Sequence, residues 1–205
     1  MSCSRAGGLS HKQISPIQRR HTCGSASQLG KATNKNLDGF LKHDRKVGIS
    51  PADAAELRGS LGWNGEEQRI VGGCTHPGEE ALRLGILARL EPGHPGLRLV
   101  LAPRHVERLA AEQPASWNGA EAAERTFTRW SEWRDGAGEP LGDSVLVVDT
   151  VGELESFYSI ADLAVVGGSF IPHGGHNVLE PASLSKAVLF GPHTENFTDE
   201  VAPVS

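Results

Sequence analysis

The residues of this 205-residue chain with chemical reach gather in short polar or glycine-rich segments, each directly after an apolar run. They are Cys74-Thr75-His76-Pro77-Gly78-Glu79-Glu80, Pro103-Arg104-His105, Asp149-Thr150-Val151-Gly152-Glu153, Gly167-Gly168-Ser169 and Gly191-Pro192-His193. Arg104 offers fixed planar donors that suit a phosphate or a base carbonyl. As a mere surface arginine it would sit badly, because the positive end of the helix expected after it disfavours a cation. Between Gly167 and Pro181 the paired glycines 174 and 175 can bring backbone close to a phosphate, and the next helix would offer free N–H groups. Asn177 is a candidate cap for that helix. Glu180, on its first turn, stands where a carboxylate could accept both hydroxyls of a ribose, or where an acid simply favours the helix dipole; spacing alone leaves both readings open. Gly152 and Glu153 open another helix and singly say little. His76, His105, His173, His176 and His193 share this edge, but none pairs with another at i, i+4 with an acid between, so no zinc-hydrolase pattern exists and no metal is expected. No G-x-G-x-x-G or Walker A string occurs, which lowers dehydrogenase and P-loop readings.

The elements that must position these segments read as alternating strands and helices. Ser50-Pro51-Ala52-Asp53 resembles an N-cap with proline at the first helical position, which predicts a short helix through Leu57 and Leu61. Strands are expected at residues 68–73, 97–101, near 126–130, 144–148, 163–166 and 187–190. Helices are expected at 77–90, 106–111, 151–160 and 177–184. In the first of these, Ala81, Leu84, Ile86, Leu87 and Leu90 form the apolar face. Such alternation implies βαβ crossovers and a parallel sheet covered on both faces, an α/β Rossmann-like, doubly wound fold. In open parallel sheets ligands sit at the carboxyl ends of the strands, where all the polar segments above fall. The opposite edge offers ordinary turn chemistry such as Glu91-Pro92-Gly93.

Composition sets outer bounds. Hydrophobic residues make up 38% and charged residues 22%, inside the globular range. No stretch approaches the roughly 20 apolar residues of a spanning helix, and the first thirty residues lack the apolar core of a signal peptide. Cys3, Cys23 and Cys74 have neither disulfide-framework nor zinc spacing, which fits a reducing compartment. Residues 1–46 carry nine Lys or Arg against Asp38 and Asp44, a net of +7 in a chain of net −5. That asymmetry suits either a solvated, poorly ordered tail or an anionic surface such as a headgroup layer. Residues 1–38 are accordingly expected as basic tail or linker and 39–205 as the domain.

Several strings together resemble the Kdo (3-deoxy-D-manno-octulosonic acid) transferases: 75–80 Thr-His-Pro-Gly-Glu-Glu, 100–109 Val-Leu-Ala-Pro-Arg-His-Val-Glu-Arg-Leu, 149–154 Asp-Thr-Val-Gly-Glu-Leu, 161–169 Ala-Asp-Leu-Ala-Val-Val-Gly-Gly-Ser, 174–182 Gly-Gly-His-Asn-Val-Leu-Glu-Pro-Ala and 189–197 Leu-Phe-Gly-Pro-His-Thr-Glu-Asn-Phe. Any one is weak; their joint order and spacing from about residue 39 onward are specific.

The resemblance implies the C-terminal half of a two-domain GT-B glycosyltransferase that moves Kdo from a CMP-Kdo donor to a lipid A precursor, at the cytoplasmic face of the inner membrane. It implies CMP contacts from Pro103, Arg104, Val151, Gly152, Glu153, Asn177, Val178, Leu179 and Glu180, with no cofactor, no metal and no nucleic-acid partner. Residues 39–44, Gly-Phe-Leu-Lys-His-Asp, look like a diverged form of the segment whose lysine stabilises the transition state, a role Lys42 would inherit. The general base lies in the family's N-terminal domain, which nothing before residue 39 resembles, and the closing helices of the fold are expected to be cut short. Two other readings stay open on the residues: a non-catalytic CMP-binding half, and a GT-B enzyme using a UDP-sugar.

Overall fold

Alternation along two strands shows why the sheet lies inside the molecule. On Leu97–Pro103 (β2), Leu99 and Leu101 join one apolar cluster with Leu84, Leu87 and Leu109, whereas Val100 and Ala102 join another with Val71, Phe157 and Ile160. Val145–Val147 (β4) repeats the pattern, with Val145 and Val147 on the first face and Leu146 on the second. Both faces being buried, residues 99–103 of β2 and all of β4 are apolar and read as unbroken hydrophobic runs.

The computed structural model describes residues 49–63, 65–117, 125–137 and 141–197, all within the compact unit Val47–Ser205. Lys42, the 39–44 segment and the expected tail 1–38 lie outside the described residues. The remaining strands are Gln68–Thr75 (β1), Phe127–Arg129 (β3), Leu163–Val166 (β5) and Ala187–Leu189 (β6); the helices that frame them are Pro51–Ser60 (α1), Glu79–Leu90 (α2), Leu154–Ile160 (α3) and Leu179–Ser183 (α4). Every pairing is parallel and the order across the sheet is β3-β4-β2-β1-β5-β6. The α/β, doubly covered parallel sheet expected from the sequence is therefore the observed one. α2 covers the face of Leu99 and Leu101, and α1 and α3 cover the other. α1 starts where expected: Ser50 Oγ accepts from the Asp53 N–H at 3.1 Å, and the Asp53 carboxylate accepts from the Ser50 N–H at 3.1 Å, a complete capping box.

Four expectations need correction. On α2, Leu84 and Leu87 are buried but Ile86 and Leu90 are exposed, and the charged residues Glu79, Glu80 and Arg83 are buried instead. Glu79 pairs with Arg83 and Glu80 with Arg108, and the two carboxylates tie neighbouring loops, so hydrophobic periodicity could not see them. Residues 106–110 form a 3₁₀ segment rather than an α-helix, after a non-helical His105 backbone. The helix expected from 151 begins at Leu154, because Gly152 adopts φ +90° and cannot continue a right-handed helix. The helix expected over 177–184 is the five-residue α4, with Ser185 beyond it at φ +58°.

The chain leaves β1 towards β2 on one side of the sheet and leaves β5 towards β6 on the other. Crossovers thus diverge between β1 and β5, and the crevice above their carboxyl ends is the topological switch point where such sheets hold ligands.

Candidate functional site at the switch point

At the end of β1 the register with β2 slips: Gly73 pairs with Ala102 and Thr75 with Pro103, leaving Cys74 as an extra residue. Cys74 sits at φ +52°, a conformation uncommon for a residue with a side chain. Bulges of this kind re-aim side chains beside functional sites. Burial, then the Glu180 charge, pushes the Cys74 thiol up to about 11, while Arg104 pulls the other way. Arg104 and Glu180 therefore both act on Cys74, from opposite sides of β1.

The loop after β5 is held against this bulge. A side chain at Gly167 would meet the Cys74 carbonyl oxygen at 2.2 Å, so only glycine lets the two backbones meet. The buried Glu79 carboxylate spans the junction: its Oε2 accepts from the His76 N–H at 2.9 Å and from the Gly168 N–H at 2.9 Å. Its other oxygen lies 3.8 Å from the Arg83 guanidinium, and Glu80 accepts from Thr75 Oγ1 at 2.8 Å and from Arg108 at 3.2 Å. These carboxylates brace the loops. From the other flank, Ser169 Oγ accepts from the Gly191 N–H at 2.9 Å and Asn196 donates to the His173 carbonyl at 3.1 Å.

Between the braced loops three imidazoles converge. His76 Nε2 and His176 Nε2 are 2.7 Å apart with their ring planes within 5° of parallel, and the His173 ring lies 4.0 Å from that of His76. One nitrogen of each falls within 4.8 Å of the others. Gly168, at φ +69°, makes room: a side chain there would stand 2.9 Å from the His176 ring. Burial first, and then the His76 ring and the Arg104 charge, pull His176 down to about 4; burial and His173 lower His76 in the same direction. His76 and His176 are therefore both biased towards the neutral form. Two imidazole nitrogens on one tetrahedral ion, at bonds of about 2.0–2.1 Å, stand roughly 3.3 Å apart. The 2.7 Å contact is instead that of a hydrogen-bonded pair sharing one proton. Sequence spacing missed this convergence because His76 and His176 are one hundred residues apart; the legible signal was that all three follow strands at one edge.

The residues singled out in sequence fall as follows. Pro103 ends β2, and Arg104 is exposed beside it, its N–H donating to the Thr75 carbonyl at 3.0 Å. Glu180 is exposed at the crevice, yet lost hydration and the nearby Glu155 charge raise its pKa, with Asn177 and Arg104 opposing. Asn177 does not cap α4 but accepts from the Leu179 N–H at 2.9 Å, Val178 is buried, and Leu179 is half-buried. The structure brings Arg104, Glu180 and Asn177 into one electrostatic neighbourhood around Cys74 and His176. Val151, exposed, and Gly152 follow β4, two strands away from β1. Glu153 is engaged there, accepting from Trp130 Nε1 at 2.8 Å and from the Thr150 hydroxyl, with Arg134 at 3.5 Å. Trp130, stacked on Trp133 and edge-on to Phe157, is thereby packing. A cavity of about 540 Å³ lined by Arg58, Trp63 and Arg69 opens at the amino edge, away from these residues; the crossover geometry favours the carboxyl edge for the ligand.

No family model matches the chain. It is 37% identical over 153 residues to the 3-deoxy-D-manno-octulosonic acid transferase of Bordetella pertussis, covering 71% of this chain and 34% of that protein. Over 135 residues it is 33% identical to a bifunctional glycosyltransferase/methyltransferase of Fusobacterium nucleatum, covering 66% of this chain and 20% of that protein. The chain thus spans about a third or less of these relatives. Among solved structures it resembles the C-terminal CMP-Kdo binding domain of WaaA from Acinetobacter baumannii, with a TM-score of 0.63, 28% identity, and 74% and 75% of the two chains covered. By sequence and by fold together, the chain is a member of the 3-deoxy-D-manno-octulosonic acid transferase family, related to the C-terminal domain of those proteins.

Proposed function

We propose that this chain is the donor-binding half of a Kdo glycosyltransferase and takes CMP-Kdo at the switch point. The observation that carries the reading is that Arg104, after β2, and Glu180, after the β5 loop, bear on the same Cys74 across the crevice, in a chain whose 28%-identical structural neighbour is a CMP-Kdo binding domain. The Glu180 carboxylate accepts the ribose hydroxyls, with Asn177, Val178 and Leu179 shaping the approach. The Arg104 guanidinium, beside Pro103, faces the phosphate and offsets the charge that grows there as CMP departs. Val151, Gly152 and Glu153 contact the nucleotide from the β4 side, with Glu153 held in place by Trp130. Lys42 adds charge to the same phosphate by resemblance alone.

In the full reaction the Kdo anomeric carbon is attacked by a hydroxyl of a lipid A precursor, and CMP leaves. The contribution of these residues is positioning and leaving-group stabilisation; the carboxylate that deprotonates the acceptor belongs to the acceptor-holding half of the family. Among the described residues no helix is long and apolar enough to cross a membrane. The basic stretch 1–46 suits attraction to the anionic cytoplasmic face of an inner membrane, where the acceptor resides.

Calorimetry with CMP and with UMP tests the reading. CMP binds, UMP competes poorly, and Arg104→Ala and Glu180→Ala each weaken CMP at least several-fold. A folded sample that takes up no CMP, or that prefers UMP, sinks it.

A further inference from the structure

A CMP-activated ulosonic acid presents two anions side by side, because its carboxylate sits on the same carbon that bears the phosphate oxygen. A phosphate subsite at Arg104 therefore needs a carboxylate subsite adjoining it. Resting on the donor-binding reading above, we propose that His76, His173 and His176 form that subsite and receive the carboxylate of the donor sugar.

Position is the first argument. The three rings stand at the divergence of β1 and β5, and the Arg104 charge bears on His176 as it does on Cys74. The cluster thus adjoins the nucleotide crevice. Access is the second: His76 is buried and fixed through its backbone, whereas His173 is exposed and leaves the cluster open on one side. Chemistry is the third. A carboxylate only accepts hydrogen bonds, and imidazole N–H groups donate them. The acidic neighbours are already engaged, Glu79 by the His76 and Gly168 amides and Glu80 by Thr75 and Arg108. The His105 ring lies 6.0 Å from that of His76, and the Arg104 charge bears on His176.

The close contact also limits repulsion within the cluster. Three imidazolium ions packed together would repel one another, but His76 and His176 share one proton across their 2.7 Å contact. A carboxylate entering between them converts the accepting nitrogen into a donor, and that proton comes from solvent. Binding of the sugar is therefore coupled to proton uptake, to which the nucleotide alone contributes little.

Titration calorimetry of the full chain with CMP and with CMP-Kdo, each in two buffers of different ionisation enthalpy, tests this. CMP-Kdo is expected to draw up to about one more proton than CMP near pH 8. His173→Ala and His176→Gln should each weaken CMP-Kdo at least five-fold more than they weaken CMP, with unchanged circular dichroism. Equal losses for the two ligands, equal proton uptake, or CMP-Kdo binding that requires added Zn²⁺ and disappears with a chelator overturns the proposal. CMP binding that depends on Arg104 and Glu180 while CMP-Kdo ignores the histidines overturns this inference alone; binding of neither ligand overturns the donor-binding reading with it.

Discussion

Glu153 and Glu180 look alike in the sequence, each an acid at the start of a helix that follows a strand, and their surroundings divide them. Glu153 is held through one oxygen by Trp130 and Thr150, with Arg134 3.5 Å from the other, which fixes its carboxylate on the β4 side. Glu180 keeps its carboxylate towards the crevice, and lost hydration with the Glu155 charge raises its pKa above the usual 4.5 despite Asn177 and Arg104. Only the ionised form offers both oxygens purely as acceptors, one for each ribose hydroxyl. CMP affinity should therefore fall as pH drops through the Glu180 pKa, at a higher pH than an ordinary carboxylate would give. Glu180→Gln should weaken CMP several-fold at pH 7.5 and remove that acid limb, whereas titration of CMP itself is common to both proteins and cancels in their ratio. Parallel profiles for the two proteins from pH 8 to pH 5 would show that Glu180 does not carry the effect.

Among the elements, the strands were the legible part, because a stretch buried on both faces must be apolar and its ends are marked by polar residues and turns. α1 was legible from Ser50 and Asp53, whose cap chemistry is local. The buried charges of α2 were not, since Glu79 finds its partners in the His76 and Gly168 amides, Glu80 in Thr75 and Arg108, and Arg83 in Glu79, and apolar periodicity carries no information about such partners. The helix after the Gly174-Gly175 turn was expected to present an anion-binding N-terminus, yet α4 has only five residues. The loop after β5 owes its shape instead to Glu79, which holds two buried amides at once. Glu79→Ala strands both, at a cost of about 2–6 kcal/mol at roughly 1–3 kcal/mol for each amide left unsatisfied. Glu79→Gln keeps an acceptor and should lose less. Urea denaturation orders the three proteins, and an alanine variant as stable as the parent would show that the junction is held from elsewhere.

At the scale of the whole molecule, the sheet is two halves, β3-β4-β2-β1 and β5-β6, joined along one parallel seam. The carboxyl end of that seam holds the candidate site, and the amino end is stapled by Arg69 on β1 and Asp162 just before β5. Asp162 accepts from the Arg69 N–H at 2.8 Å and from the guanidinium at 3.0 and 3.2 Å, while its own N–H donates to the Arg69 carbonyl at 2.9 Å. No sequence motif marks this pair, because its members are 93 residues apart, one near the start of an expected strand and the other in a turn. Burial alone would raise the Asp162 pKa, but the side-chain and backbone hydrogen bonds from Arg69 outweigh it and hold the carboxyl below its usual 3.8. A carboxyl more acidic when folded than when unfolded stabilises the fold fully above the unfolded value and loses that contribution as pH falls through the folded one. Because half of the Asp162 side chain is exposed, water screens the pair, and its worth is about 1 kcal/mol. Asp162→Asn should thus cost about 1 kcal/mol at pH 7, by the same measure of a screened pair, and progressively less as the pH drops below 3.8. CMP affinity at the far end of the seam should hardly change. A cost that is the same at pH 7 and at pH 3 would mean that the ion pair is not what holds the two halves in register; a large loss of CMP affinity would mean that the two ends of the seam are coupled more tightly than a staple requires.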